Sequence, residues 1–136
     1  MDEAVLREDL ADRIAQLREA TERLREVLAE RPDSHGIVRD SAIKRFEMCM
    51  ELAWKTLQQF LALENNVQCA SPRKCFQAAF KAEVISDDPF LIEMLDMRNL
   101  AAHTYKEALA QQLYAKLPSA LERFDMLLGH LSATEA

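Results

Sequence analysis

Arg98, His103 and Tyr105 fall within eight consecutive residues, Arg98-Asn99-Leu100-Ala101-Ala102-His103-Thr104-Tyr105, and form the candidate chemical site of this sequence. Arginine is a permanent cation whose forked donors suit phosphate, and histidine has an unperturbed pKa suited to proton transfer near neutrality. Together they can act on a phosphodiester without a metal. On an uninterrupted helix, Arg98 and Tyr105 share a face and His103 points about 140° away from Arg98. We therefore expect the helix to end near His103, or a second subunit to complete the site.

A purely structural interpretation of the same residues is also available. Arg98 would be a surface salt-bridge donor, and His103 a ring beside the carbonyl groups at a helix C-terminus. Tyr105 would be a half-buried ring whose hydroxyl reaches water. Judged on residue types alone, this interpretation is the stronger one.

The elements that position these residues are predicted to be helices. The composition has only two glycines and four prolines, and it is rich in residues that favour helices. Helices are predicted near residues 2–31, 36–64, 71–83 and 107–131. A further helix, which delivers the octapeptide, is predicted to start at Ser86-Asp87-Asp88-Pro89, by the same logic of a capping side chain followed by proline that places Ser71 and Pro72 at the start of the third. Residues 132–136 are expected to be frayed. The predicted fold is one domain over residues 1–136, an all-α, up-and-down antiparallel bundle of four or five helices.

The apolar patterns of the first two helices predict how the bundle packs. The first helix carries a heptad seam, which favours packing within the bundle because it spans under four heptads. The second helix has an apolar stripe wider than a surface helix needs, so we expect it to be central. The seam consists of Leu10, Ile14, Leu17, Thr21, Leu24 and Leu28; the stripe is built on Ile43, Phe46, Met50, Ala53, Leu57 and Phe60.

Charge and cysteine content exclude several classes of protein. The net charge of −6 argues against coating nucleic acid through bulk electrostatics, although residues 39–81 hold seven basic and four acidic side chains. Three cysteines without Cys-x-x-Cys spacing predict reduced, packed thiols and no zinc site, and we expect neither a metal nor a cofactor. The acidic start Met1-Asp2-Glu3-Ala4 and the lack of a long apolar run predict a cytoplasmic protein without membrane contact.

Two stretches carry a resemblance to a known family. The octapeptide resembles the Arg-x-x-x-x-His-x-Tyr signature of the HEPN superfamily, the partner proteins of minimal nucleotidyltransferases. Arg45-Phe46-Glu47 and Glu51-Leu52-Ala53-Trp54-Lys55-Thr56-Leu57 resemble the second helix of the nucleotidyltransferase substrate-binding protein family. The similarity runs from about Val38 to Leu128.

The resemblance implies a homodimer whose two octapeptides meet across a two-fold axis, in a toxin–antitoxin type module. Arg98 would clamp the phosphate of an RNA, His103 would move a proton, and Asn99 would orient the phosphate or the imidazole. Tyr105 would accept AMP from the nucleotidyltransferase partner, which would block RNA from the cleft.

Arg45, Glu47, Glu51 and Lys55 form a second polar set, on the second helix. Glu47, Glu51 and Lys55 follow one another at i, i+4 steps, which is typical of a solvated charge ladder. The family resemblance favours instead a face that contacts the partner or borders the Arg98 site. Both interpretations stay open.

The alternative function is a non-catalytic subunit that binds a nucleotidyltransferase and its substrate, and the acidic balance of the chain favours it. A generic dimeric helical adaptor is a third class. In none of these is the chain itself the nucleotidyltransferase, because it lacks the Gly-Ser followed by Asp-x-Asp that binds nucleotide and metal.

Overall fold

The computed structural model describes residues 2–133 as a bundle of five α-helices, and the prediction of an all-α bundle is confirmed. The helices are α1 (Glu3–Leu28), α2 (Ile37–Glu64), α3 (Pro72–Lys81), α4 (Pro89–Leu100) and α5 (Glu107–Ser132). Helix α5 extends through Ser132, one residue beyond the predicted end near residue 131, and Ala133 is its C-cap. Residues 134–136 of the segment predicted to be frayed lie outside the described residues.

Four helices begin where a short polar side chain can accept hydrogen bonds from free backbone N–H groups. Before α1, Asp2 accepts from the N–H of Ala4 at 3.3 Å. The carboxylate of Asp33 accepts from the backbone N–H groups of His35, Ile37 and Val38, at 3.2, 3.1 and 2.8 Å. Ser71 accepts from the N–H of Lys74 before α3, and Asp88 accepts from the N–H of Phe90 before α4. Pro72 and Pro89 then occupy the first positions of α3 and α4, where a missing N–H costs nothing.

The second helix is the central element, as its wide apolar stripe predicted. It packs against all four other helices. Arg39 and Thr56 are the polar residues on its buried surface, and Thr56 donates to the carbonyl of Leu52. Its buried residues are Arg39, Ala42, Ile43, Phe46, Cys49, Met50, Ala53, Thr56, Leu57, Phe60 and Leu61.

The heptad seam of α1 packs within the bundle, against α2 and α5. Its first five positions, from Leu10 to Leu24, are buried, and Leu28 is half-buried. Thr21 replaces an apolar residue in this seam without leaving an unsatisfied hydroxyl, because it donates to the carbonyl of Leu17 at 2.8 Å. The seam is therefore used inside one chain.

The helix that delivers the octapeptide ends where the spacing of Arg98 and His103 required. The α-helix stops at Leu100, and Ala101–His103 form a tighter 3-10 turn. The backbone N–H of Lys106 donates to the carbonyl of His103, and the chain then enters α5 at Glu107. His103 and Tyr105 consequently lie outside the regular helix that carries Arg98.

The cysteine prediction is wrong for two of the three thiols. Cys69 and Cys75 form a disulfide with a Cα–Cα distance of 5.2 Å, and Cys49 is free and buried. The spacing of Cys69 and Cys75 in the sequence did not indicate a disulfide. The bridge joins the loop after α2 to helix α3. The loop after α2 folds back onto the start of α3, and Gln58 holds it by donating to the carbonyl of Cys69 at 2.6 Å.

Candidate functional site

An open groove of about 480 Å³ lies where α2 passes the C-terminal end of α4. Its walls carry two cations, two carboxylates, an amide and a methionine, so the formal charges of the lining balance. The residues that line it are Lys44, Glu47, Met48 and Glu51 from α2, and Arg98, Asn99 and Ala102 from α4 and the 3-10 turn.

Arg98 is held in this groove by Glu51. Its Nη2 donates to Oε2 and Oε1 of Glu51, at 3.2 and 3.4 Å. The indole Nε1 of Trp54 donates to the same two oxygens, at 3.3 Å to Oε1 and 3.2 Å to Oε2. The side chain of Arg98 keeps about a third of its surface exposed. The Arg98 guanidinium therefore has a fixed carboxylate on one side and open groove on another.

The predicted charge ladder along α2 is not formed at Glu51. Within residues 2–133, Glu51 makes no ion pair with Lys55, its neighbour one turn away; it turns toward Arg98, 47 positions later in the chain. Lys55 is exposed. Of the predicted polar set, Glu51 and Glu47 line the groove that contains Arg98.

Arg45 and Lys55 lie outside the Arg98 groove. Arg45 lines a separate groove of about 230 Å³ between α1 and α2, together with Arg23, Glu26 and Glu30. Its one contact toward the Arg98 side is a weak one, from Nη1 to Sδ of Met48 at 4.0 Å. The four residues predicted as one binding set are thus divided between different surfaces.

His103 and Tyr105 lie near each other but do not line the groove. Their ring centroids are 6.1 Å apart, and the two ring planes are nearly perpendicular. His103 is exposed, and Tyr105 is 77% exposed. In a single chain, the groove therefore brings together Arg98 and Asn99 but includes neither the imidazole nor the phenol.

Three groove residues were missed when the candidate site was predicted from the sequence. Lys44 and Met48 were not singled out, although Lys44, Met48 and Glu51 follow the i, i+4, i+7 spacing of one helical face. Ala102 lies in the octapeptide but has no functional group that would mark it. Helical spacing around Glu51 could have identified the first two.

The groove offers donors for an anion and no cluster of metal ligands. In the part of the chain that the structure describes, no three His, Cys, Asp or Glu side chains are close enough to hold a metal ion. None of the helices in that same part is long and apolar enough to cross a membrane. Chemically, the site can bind an anionic group through Arg98, Lys44 and Asn99.

Fold and groove together define a small helical-bundle protein with an open polar groove. The chain belongs to the family described as nucleotidyltransferase substrate binding protein like, whose model matches residues 12–133.

Two solved structures are similar to this chain. One is ttk003001694 from Thermus thermophilus, with 32% sequence identity and a TM-score of 0.79 over 85% of this chain and 98% of its own. The other is HI0074 from Haemophilus influenzae, whose structure is described as the fold of a substrate binding domain of a nucleotidyltransferase. It has 22% identity and a TM-score of 0.61 over 96% of this chain and 99% of its own, a likeness that concerns the fold alone. A search of curated proteins found no significant match.

Proposed function

We propose that this chain is the subunit that binds a minimal nucleotidyltransferase and presents a phosphate-bearing substrate to it in the Arg98 groove. The observation that carries the proposal is that every residue lining the groove lies within the region matched by the substrate-binding family. Transfer chemistry would come from the partner, since this sequence lacks the Gly-Ser and Asp-x-Asp elements of such enzymes.

The charges of the groove support binding by directed contacts. Lys44 and Arg98 are matched in number by Glu47 and Glu51, so the lining has no excess positive charge to attract an anion. Selectivity would therefore depend on where the donors of Arg98 and Asn99 point. A planar guanidinium suits this role because its donors match the oxygens of a phosphate.

The test is co-expression with the minimal nucleotidyltransferase encoded by a neighbouring gene. We expect the two proteins to purify as a complex, and we expect Arg98→Ala to lower the transfer rate by about tenfold, as expected for the loss of one charged contact. Arg73→Ala is the control, because Arg73 is an exposed arginine on α3 that pairs with Asp96 away from the groove. Failure of the wild-type proteins to form a complex would overturn the proposal.

A second candidate is a metal-independent ribonuclease in a toxin–antitoxin type module, as the HEPN resemblance implies. The observation that favours it is the exposure of His103 and Asn99 beside Arg98, on a surface that a second copy of the chain could cover. In a two-fold homodimer, each RNA phosphate would meet an arginine and an imidazole from the paired motifs. Glu51 opposes this role in the single chain because it already neutralises Arg98.

The ribonuclease hypothesis is tested by expressing the chain alone. Growth arrest and RNA fragmentation by the wild type, both abolished by Arg98→Ala and by His103→Ala, would support it. Harmless expression of all three proteins would eliminate it. Sedimentation of the purified protein tests the homodimer directly, and a monomer at the concentrations used in the assay would remove the composite cleft.

Tyr105 is proposed as the AMP acceptor within the same module. Its phenol is 77% exposed, whereas the other tyrosine of the chain, Tyr114, is half-buried against the core. After co-expression with the partner, intact-mass analysis should show an added AMP that Tyr105→Phe abolishes. If the modified residue is Tyr114 or the mass increase survives in the Tyr105→Phe variant, the assignment is wrong.

This function places the protein in the cytoplasm, where nucleotides and RNA are found. Disulfides are rare in that compartment because its thiol pool is reducing. The Cys69–Cys75 bridge is therefore the feature of this chain that weighs against the assignment.

A further inference from the structure

Trp54, Glu51 and Arg98 form a chain of contacts that ends in the groove. The indole N–H donates to both carboxylate oxygens of Glu51, and both oxygens also accept from Nη2 of Arg98. Trp54 is itself half-buried and packed against the core. The carboxylate that accepts from the guanidinium is thus also held by a ring that packs against the core.

This arrangement leaves part of the Arg98 guanidinium available. Among the described residues, Glu51 is the polar partner of Arg98, and it is contacted through Nη2 alone. Nε and Nη1 remain as donors on a side chain that is about one-third exposed. An arginine held in this way loses less rotamer freedom when an anion binds, because its orientation is already set.

We propose that Glu51, anchored by Trp54, is a positioning residue that orients Arg98 to receive a phosphate group of a nucleotide. This inference rests on the proposed function and adds to it the class of substrate and the residues that aim the cation. A carboxylate beside an anion site would ordinarily weaken binding by repulsion. Here the gain in binding from orienting Arg98 exceeds that repulsion. Replacing Glu51 therefore weakens nucleotide binding if positioning dominates and strengthens it if repulsion dominates.

Glu47 provides the matched comparison for Glu51. Both glutamates lie on α2 and line the same groove, but only Glu51 contacts Arg98. Replacement by alanine removes one negative charge in either case and suits a helix. If charge alone matters, both variants bind a nucleotide more tightly. If positioning matters, Glu51→Ala binds more weakly and Glu47→Ala more tightly.

The protein also contains its own spectroscopic reporter. Trp54 is the single tryptophan of the sequence, and its indole contacts the carboxylate that holds Arg98. The emission of the free protein should therefore change in Glu51→Ala and stay at the wild-type value in Glu47→Ala. A general loss of structure is monitored separately by thermal unfolding of each variant.

The experiment measures ATP binding to the complete chain by calorimetry, with adenosine as the control that lacks phosphates. We expect Arg98→Ala to lower ATP affinity at least tenfold and Glu51→Ala about fivefold, as expected for the loss of one charge-assisted contact. Trp54→Phe, which keeps a ring but removes the N–H donor, should lower it about twofold to threefold. Adenosine should bind weakly and equally to all variants.

The outcomes separate this inference from the proposed function. If the wild type binds ATP and Arg98→Ala weakens binding while Glu51→Ala strengthens it, positioning is overturned and the groove function stands. Wild-type emission in Glu51→Ala overturns positioning as well, since the indole would not sense the carboxylate. If the wild type binds ATP no better than adenosine, the phosphate-binding groove fails and the positioning role falls with it.

Discussion

Cys49 is a thiol whose chemistry is set by burial. Its side chain is fully buried in the core, and burial raises the pKa of the thiol to about 12, although a hydrogen bond with Thr21 acts in the opposite direction. At neutral pH the thiol is therefore protonated and out of reach of reagents. Cys69 and Cys75 differ from Cys49 because a disulfide joins them, between the loop after α2 and helix α3.

We predict that iodoacetamide labels no cysteine of the native protein at neutral pH. After reduction without denaturant it should label Cys69, which is partly exposed, and spare Cys75, which is as fully buried as Cys49; after reduction in guanidinium it should label all three. Reduction should also lower the free energy of unfolding by about 2 kcal/mol, because the unfolded chain gains conformational entropy when a short closed loop is opened. Peptide mass mapping measures the labels, and native-state labelling of Cys49 would contradict the burial argument.

The residues of the site differ in how far the sequence could predict them. Arg98 was identified from its residue type and place in one short segment, and Asn99 from the family resemblance; both line the groove. The partner of Glu51 was not predictable in the same way, because the local i, i+4 rule points to Lys55 and the actual partner is Arg98. Contacts between separate helices depend on how the helices pack, which one sequence does not record directly.

At the scale of elements, helix starts were predicted more accurately than one helix end. The starts of α3 and α4 follow local chemistry, a capping side chain followed by proline. The first helix was predicted to reach residue 31 but ends at Leu28. Pro32 disfavours the helical conformation at Arg31, and the last residues before it form a turn instead. The preference of the residue before a proline is the signal that the prediction underused.

The two glycines of the chain should respond to alanine in opposite directions. Gly36 precedes α2 with a φ of 75°, and a Cβ there would lie 2.7 Å from Nη2 of Arg39. The Arg39 side chain is held in place because its Nε donates to Asp40 and its Nη1 to Glu107. Gly36→Ala should therefore cost about 1–2 kcal/mol. Gly129 lies in α5 with open space around its Cβ position, so Gly129→Ala should add about 0.5 kcal/mol.

Urea unfolding of the two variants beside the wild type measures both effects. Because each variant adds the same methyl group, the change in side-chain volume is matched, and only the backbone conformation and the local space differ. A stabilised Gly36→Ala would show that the left-handed turn before α2 is not required. A destabilised Gly129→Ala would show that its exposed helical position is not open.

At the scale of the whole molecule, ion pairs join helices that also share the apolar core. They connect α1 with α2 and α5, α2 with α4 and α5, α3 with α4, and α4 with α5. The pairs that cross between helices, or between a helix and the cap of another, are Arg7–Glu64, Arg25–Asp125, Arg39–Glu107, Glu51–Arg98, Arg73–Asp96, Glu93–Lys116 and Asp88–Arg123. Most are exposed and contribute little singly, but Asp88 and Arg123 are each mostly buried.

Asp88 both caps the start of α4 and forms an ion pair with an arginine on α5. It accepts from the N–H of Phe90 at the start of α4 and from Nε of Arg123 on α5 at 2.7 Å. The hydrogen bond from Arg123 lowers the pKa of Asp88, and the backbone hydrogen bond acts in the same direction. Hydrogen bonds from backbone N–H groups likewise lower the pKa of Asp33, and Arg39 lowers that of Glu107.

We therefore predict that the protein loses stability in acid and that Asp88 accounts for part of the loss. A carboxyl whose pKa is lower in the folded state stabilises fully above its unfolded pKa, about 3.9 for Asp, and the contribution disappears as pH falls through the folded pKa. Asp88→Asn should be less stable than the wild type by about 1 kcal/mol at neutral pH. That difference should shrink steadily as the pH falls below about 4.

Urea unfolding across a pH series measures the difference between wild type and Asp88→Asn. Asp87→Asn is the control, since Asp87 is the adjacent exposed carboxyl and forms no ion pair with any described residue. Its stability curve should run parallel to that of the wild type. A pH-independent difference for Asp88→Asn would mean that the amide disturbs the start of α4 by its shape. The charge of Asp88 would then contribute nothing to holding α4 against α5.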